Sequence, residues 1–351
     1  MVMSTRADGN AIVAALPQAL DVIAPASTTG IGSLPHRNAR QAVEFALEAH
    51  DVPAIPSLPR RSPAESSIAQ ALVGAAGVTL GQYGTVAIDI DRLDSTAPAD
   101  TDLRRDNFVG FRTFLELAGK RRYCGPVKWQ FVGPISVGVA LRRAGVDPCI
   151  AFDVALGTVR SHLQSLAAAV AEALPLSPQL VILNEPFADE MMSRDFPIAP
   201  GVAIDLLSAA MAAVEPFATV GVHCCGEVDI AMVLESGPRV LSLPVSRSLI
   251  PLAGYLERFL QNDGWIAWGA VATEGPIGVT SNRSWHQLST VWSELVQLGV
   301  DEQRLHQQCL LTPECGLGTH SPVVAERVCH ALHDVSRRVR GRVANRFAAV
   351  D

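Results

Sequence analysis

Aromatic residues are scarce: three tyrosines, five tryptophans and eleven phenylalanines in 351 residues. Rings cannot fill most of the core, so the 48% hydrophobic content is mainly aliphatic. Cysteines are also few. The seven at 124, 149, 224, 225, 309, 315 and 329 cannot form a disulfide scaffold for a chain of this size. Their odd number suits a reducing compartment, where thiols hold metals or fill cores. Lys and Arg form no dense run, and the formal net charge of -7 is spread over the whole chain, which argues against a nucleic-acid partner. No apolar stretch reaches the roughly 20 residues of a membrane span, and the N-terminus lacks the charged, apolar, small-residue order of a signal peptide. A cytoplasmic protein with no membrane partner is expected.

What the sequence does have is a βα rhythm, short apolar runs alternating with amphipathic stretches, as a parallel sheet covered by helices requires. Strands are expected at Thr28 to Ile31, Pro53 to Ile55, Val127 to Phe131, Leu180 to Leu183, Ala218 to Val222, Val240 to Leu243, Trp265 to Trp268 and Gln308 to Leu311. Helices fit at Ala39 to Ala49, Ile150 to Ala173, Ala203 to Val214, Ile230 to Glu235, Leu252 to Gln261, Trp285 to Leu298 and Val323 to Arg338. Eight such units favour an α/β fold of the (β/α)8 TIM-barrel type over an open doubly wound sheet. The expected organisation is a loosely ordered segment at 1–25, one barrel at 26–340 and a tail at 341–351. An insertion at about 57–125 holds the apolar run Tyr83 to Ile90 and a helix near Phe108 to Leu117.

In such a barrel the chemistry sits at the carboxyl ends of the strands. Unusual polar residues fall there repeatedly: Gly32 and Ser33, Gly133 and Pro134, Asn184 and Glu185, His223 and Cys225, Ser246 and Arg247, Thr273 and Glu274, and Cys315. A spacing of two at a strand end puts His223 and Cys225 on one side and turns Cys224 to the other, into packing. One imidazole and two thiolates, His223, Cys225 and Cys315, can hold zinc and leave its fourth tetrahedral position open for a thiol. Taken singly, such residues are more often hydrogen-bonded or core groups. Three at one barrel mouth shift the balance towards a metal. Ile31, Gly32 and Ser33 form a turn whose backbone N–H groups suit a carboxylate. Glu185, at the end of an apolar run, needs a partner such as a substrate amine, the metal's surroundings or Arg247, with a plain salt bridge equally in play. His36 and His320 lie just past strand ends and could move protons, or be ordinary surface histidines.

At these residues the chain resembles the carboxyl-terminal catalytic barrel of cobalamin-independent methionine synthase, in the wider family that holds uroporphyrinogen decarboxylase and the coenzyme M methyltransferases. The similar segments run in order from Thr29-Gly30-Ile31-Gly32-Ser33 through Val132-Gly133-Pro134, Asn184-Glu185-Pro186, His223-Cys224-Cys225, Leu241-Ser242 and Ser246-Arg247-Ser248 to Pro313-Glu314-Cys315-Gly316-Leu317. The resemblance implies Zn2+ held by His223, Cys225 and Cys315, the carboxylate of a homocysteine-like thiol on Ile31 to Ser33, and Asn184 where the family has an amine-binding aspartate. From their positions at strand ends, Glu185 and Arg247 are further candidates for substrate contact, and Glu185 and His320 for catalysis. The implied partners are a small-molecule thiol and a methyl donor, either methyl-folate or a methylated corrinoid protein. The chain departs from the pattern in having Pro244 at the family's fourth zinc ligand, a glutamate, and in lacking a counterpart of the synthases' amino-terminal barrel. Alternatives within this resemblance are a zinc-dependent thiol alkyltransferase acting on an epoxide or coenzyme M-type substrate, the thiolate opening the epoxide, and a metal-free decarboxylase of the uroporphyrinogen type. A barrel that binds a thiol or metal without catalysis is the third.

Overall fold

A computed structural model of the chain describes residues 17–81, 85–274 and 281–347, with side chains as far as residue 341. The chain opens with α1 (Ala19–Val22), β1 (Ser27–Thr28), α2 (Ala39–Glu48) and α3 (Ser67–Leu72), followed by β2 (Val78–Leu80), β3 (Val86–Ile88) and α4 (Val109–Lys120). Its middle holds β4 (Val127–Val132), α5 (Pro134–Arg143), α6 (Pro148–Ala173), β5 (Gln179–Asn184), α7 (Pro200–Ala212), β6 (Thr219–His223), α8 (Ile230–Glu235) and β7 (Val240–Pro244). The remainder is α9 (Ala253–Gln261), β8 (Trp265–Val271), α10 (Asn282–Gln297), α11 (Glu302–Gln307), β9 (Cys309–Pro313) and α12 (Pro322–Phe347).

Seven strands form one parallel sheet in the order β1-β9-β8-β7-β6-β5-β4, while β2 and β3 pair as a separate antiparallel hairpin. The segment expected as the second strand makes isolated parallel bridges to both edges of this sheet, Val52 to Thr29 and Ala54 to Lys128. Its bonds are Val52 N–H to Thr28 O (3.0 Å), Ile55 N–H to Lys128 O (2.8 Å) and Lys128 N–H to Pro53 O (2.9 Å).

Each strand of the seven-stranded sheet is buried on both faces, which is why it reads as a continuous apolar run. Alternate residues divide between two cores. Leu180, Ile182, Val240, Ala267 and Leu310 pack with Val52 and with Ala19, Leu20 and Ile23 on the concave side of the sheet. Val181, Leu183, Val220, Val222, Leu241, Ile266, Trp268 and Leu311 pack against the helices. The helices begin where local chemistry dictates. Asn38 Oδ1 accepts from Gln41 N–H at the start of α2 (3.0 Å), and Asp147 Oδ1 accepts from Cys149 N–H at the start of α6 (2.9 Å).

The structure departs from the sequence expectations at several places. Residues 19–23, within the segment expected to be loose, include α1 and bury Ala19, Leu20 and Ile23. Helix α12 runs to Phe347, past the expected start of the tail. The Tyr83 end of the expected apolar run lies outside the described residues. Helices α3, α5 and α11 and the short hairpin were not anticipated. Among the described residues no helix is long and apolar enough to cross a membrane.

Candidate functional site

Parallel register places Asn184, His223 and Ser242 side by side, with Asn184 opposite His223 and His223 opposite Ser242. Registered residues of parallel strands point to the same face. Ser242 Oγ lies 2.9 Å from His223 Nδ1, which fixes the ring and turns Nε2 towards Cys225 Sγ at 3.0 Å. Cys225 Sγ is in turn 3.2 Å from Cys315 Sγ, 90 residues further along the chain. Cys224 is buried in the helix-side core, as strand alternation requires.

The electrostatics of the cluster follow from these contacts. Burial lowers the pKa of His223 and keeps its ring neutral. Cys315 is the thiol that ionises first, because hydrogen bonds from Cys225 and then His223 stabilise its thiolate. Cys225 is pushed up, first by donating to Cys315 and then by burial. Among the described residues no group of three or more His, Cys, Asp or Glu side chains is spaced as a ready-made metal cage. Tetrahedral zinc with sulfur bonds near 2.3 Å needs its sulfurs about 3.7 Å apart. The Cys225 and Cys315 sulfurs, at 3.2 Å, would have to part by about 0.5 Å to admit it. The donor types fit zinc, and the displacement is within side-chain rotation.

The Ile31 to Ser33 turn is tied down by its carbonyls. Ile31 O accepts from Lys128 Nζ, Gly32 O from Ser57 N–H (3.3 Å) and Ser33 O from Leu317 N–H (2.9 Å). Gly32 adopts φ +139°, and a Cβ there would lie 1.9 Å from Gln130 Cδ. Gly316 has the same requirement, since its Cβ would lie 2.2 Å from Ser33 Oγ, which accepts from Gly318 N–H (3.2 Å). Gly32 lets the turn lie on Gln130, and Gly316 lets it dock directly on the loop that carries Cys315.

Asn184 Oδ1 is buried without a hydrogen-bond partner beside His223. Buried acceptors in proteins are normally satisfied. Glu185 points the other way: its oxygens accept from Ile135 N–H (3.1 Å) and Ser136 N–H (2.7 Å), so it anchors the first turn of α5. Burial pushes its carboxyl up to about 7 against the lowering effect of those bonds. Arg247 does not reach Glu185. It forms a two-pronged pair with Glu294 of α10 (2.9 and 3.0 Å) at the surface, with 71% of its side chain exposed. His320 is half-buried on the Cys315 loop, its N–H donating to Leu317 O (3.0 Å). His36 is buried against Phe45 rather than exposed. The structure therefore gathers Ile31 to Ser33, Asn184, His223, Cys225 and Cys315, and leaves Glu185 and Arg247 outside that group.

A cavity of about 380 Å³ opens beside Cys225, lined by Met192, Val228, Leu243, Pro244, Leu249 and Glu314 among others. Sequence reasoning missed Ser242 as the orienting partner of His223, and it missed Lys128 and Gln130 beneath the Ile31 to Ser33 turn. For the latter two the signal was present, as polar residues two apart inside an apolar strand.

No family model matches the chain, and no curated protein matches it by sequence. Among solved structures, a B12-independent methionine synthase from Shewanella sp. W3-18-1, in complex with selenomethionine, is similar over 92% of this chain and 100% of its own, with a TM-score of 0.59 at 14% identity. A designed cube-shaped protein cage covers 67% of this chain and 70% of its own at 11% identity, with a TM-score of 0.30, too low to carry an argument. The same holds for PbGH5A, a glycoside hydrolase family 5 enzyme from Prevotella bryantii B14, with 62% and 86% coverage, 10% identity and a TM-score of 0.30. The first likeness concerns the fold, an α/β architecture with a curled parallel sheet of the methionine synthase-like TIM-barrel kind.

Proposed function

We propose that this chain is a zinc-dependent methyltransferase of the methionine synthase type, passing a methyl group to a homocysteine-like thiol in methionine biosynthesis in the cytoplasm. The observation that carries the reading is the run of contacts from His223 Nε2 to Cys225 Sγ to Cys315 Sγ at the carboxyl ends of the strands. In this reading Val52 to Ile55 is the eighth strand of a (β/α)8 barrel, supported by its bonds to both sheet edges.

His223, Cys225 and Cys315 would hold the metal, and a bound zinc ion would keep the acceptor sulfur deprotonated at neutral pH. A free thiol with a pKa near 8.5 is only a few per cent ionised at pH 7. Ser242 holds His223 in the tautomer that presents Nε2 as donor. The Ile31 to Ser33 turn receives the acceptor's carboxylate, and Asn184 Oδ1 accepts from its amine. His320 takes the thiol proton, and Glu185 acts at one remove by fixing the start of α5 beside Asn184. The cavity beside Cys225 admits the methyl-bearing group of methyl-folate or of a methylated corrinoid protein. The thiolate attacks the methyl carbon in line as the bond from carbon to the donor's nitrogen or cobalt breaks, its electron pair staying with the donor.

The test is transfer from methylcobalamin or methyl-folate to homocysteine by the zinc-loaded protein, followed by mass spectrometry of the product. Methionine formation that requires Cys225 and Cys315 is expected. Failure with both donors, in a protein that binds zinc, overturns the proposed reaction.

A further inference from the structure

Strand β4 turns Lys128 and Gln130 to the concave side of the sheet, in register with Leu180 and Ile182. Lys128 is 2% exposed, and burial pushes its ammonium down to about 7. A lysine is seldom buried this fully without a paired charge. Among the described residues, however, no carboxylate pairs with Lys128. Its Nζ donates to the Ile31 carbonyl and to Gln130 Oε1 (3.1 Å). Gln130 Nε2 donates to Ile55 O (3.0 Å), and Gln130 lies directly against Gly32. The two side chains form a polar floor under the Ile31 to Ser33 turn. All three carbonyls of the turn are engaged, so its N–H groups and the Ser33 O–H are the donors left to offer a ligand. The Nζ is held by the Ile31 carbonyl and Gln130 with no carboxylate beside it, so an anion seated on the far side of the turn favours its protonated form and is complemented by it.

We propose that Lys128 is the specificity-determining positioning residue of the acceptor site, holding the Ile31 carbonyl and placing positive charge under the Ile31 to Ser33 turn so that the site selects thiols bearing a carboxylate. This rests on the turn being the acceptor site, as proposed above. Lys128 touches neither the sulfur nor the methyl group; it acts through the turn.

Two fragments of an amino-acid thiol separate the charges. 4-Mercaptobutyrate keeps the carboxylate and lacks the amine, and 3-mercaptopropylamine does the reverse. Their binding is measured by calorimetry, in a thiol-free reductant, to the wild type, Lys128→Met and Lys128→Gln. Met keeps the aliphatic stem and removes a buried ammonium that has no paired carboxylate, so this variant is expected to fold. Both variants should lose about tenfold or more in affinity for 4-mercaptobutyrate, the scale of one charge-assisted contact, and stay within about twofold for 3-mercaptopropylamine. Equal losses for both ligands, no loss, or wild-type affinity in Lys128→Gln overturns the inference. The wild type supplies an arm that needs no variant, because the neutral methyl ester of 4-mercaptobutyrate should bind about tenfold more weakly than the acid. Equal binding of ester and acid also overturns it. If neither fragment binds, this inference and the proposed acceptor fall together. If the fragments bind as expected but no methyl is transferred, only the proposed reaction falls.

Discussion

Ser242→Ala is the perturbation whose size follows most directly from the geometry. Ser242 and His223 are each 2% exposed, and the hydroxyl sits 2.9 Å from Nδ1. Removing it leaves a buried ring nitrogen without its partner, a loss of about 1–3 kcal/mol. The ring is then free to rotate away from Cys225. Loss of an outer partner to a metal-bound histidine weakens metal affinity by about 10–100-fold, equivalent to about 1.4–2.7 kcal/mol, and the two estimates agree. Ser242→Ala should therefore bind zinc about 10–100-fold more weakly in competition with a chromophoric chelator, and at equal excess zinc its folded state should be less stable by about 1.4–2.7 kcal/mol. Unchanged zinc affinity in a variant whose His223 still binds would mean that Ser242 does not orient the donor, and that Nε2 faces Cys225 for packing reasons alone.

Two further outcomes follow from the buried acid and the orphaned amide. Glu185 titrates at about 7 in the folded chain, above its unfolded value, so its contribution to stability is complete below pH ~4.3 and is lost as pH rises through about 7. Glu185→Gln should flatten that fall, on the order of 3 kcal/mol in denaturant titrations across this window; an unaltered slope means Glu185 is not the group responsible. Asn184→Asp should tighten amine-bearing thiols by about tenfold or more, through a charge-assisted bond at the position of the unpartnered Oδ1, and leave 4-mercaptobutyrate unchanged or weaker. Weaker binding of homocysteine by Asn184→Asp would show that the natural acceptor is read by the neutral amide.

The strands from Val127 onward were legible because a strand buried on both faces is apolar throughout, and Val240–Pro244 or Trp265–Val271 can hardly be read otherwise. The cluster was legible for a different reason: the H-x-C spacing at a strand end makes two side chains converge, and a strand end must meet its neighbours along the carboxyl edge of the sheet. Less could be read where the deciding partner lies far away in sequence. Glu185 meets the N–H groups of α5, a helix masked because Pro134 reads as a turn residue while in fact occupying the first helical position. Arg247 finds Glu294 across 47 residues, and nothing local predicts that pairing over one with Glu185. Pro53 to Ile55 was expected as a regular strand, yet this segment, with Val52, joins the sheet edges only through isolated bridges. Strands β2 and β3, of three residues each, are too short to carry a period.

Zinc content after parallel purification of the wild type, Cys224→Ser, Cys225→Ser and Cys315→Ser tests the central claim most directly. The cysteines at 225 and 315 meet at 3.2 Å, while Cys224 faces the helix-side core. The wild type and Cys224→Ser should each carry about one zinc per chain, and Cys225→Ser and Cys315→Ser should each lose most of it while remaining folded. Full zinc in both Cys225→Ser and Cys315→Ser, or a wild type that binds none when zinc is supplied, would contradict the metal site and the function built on it.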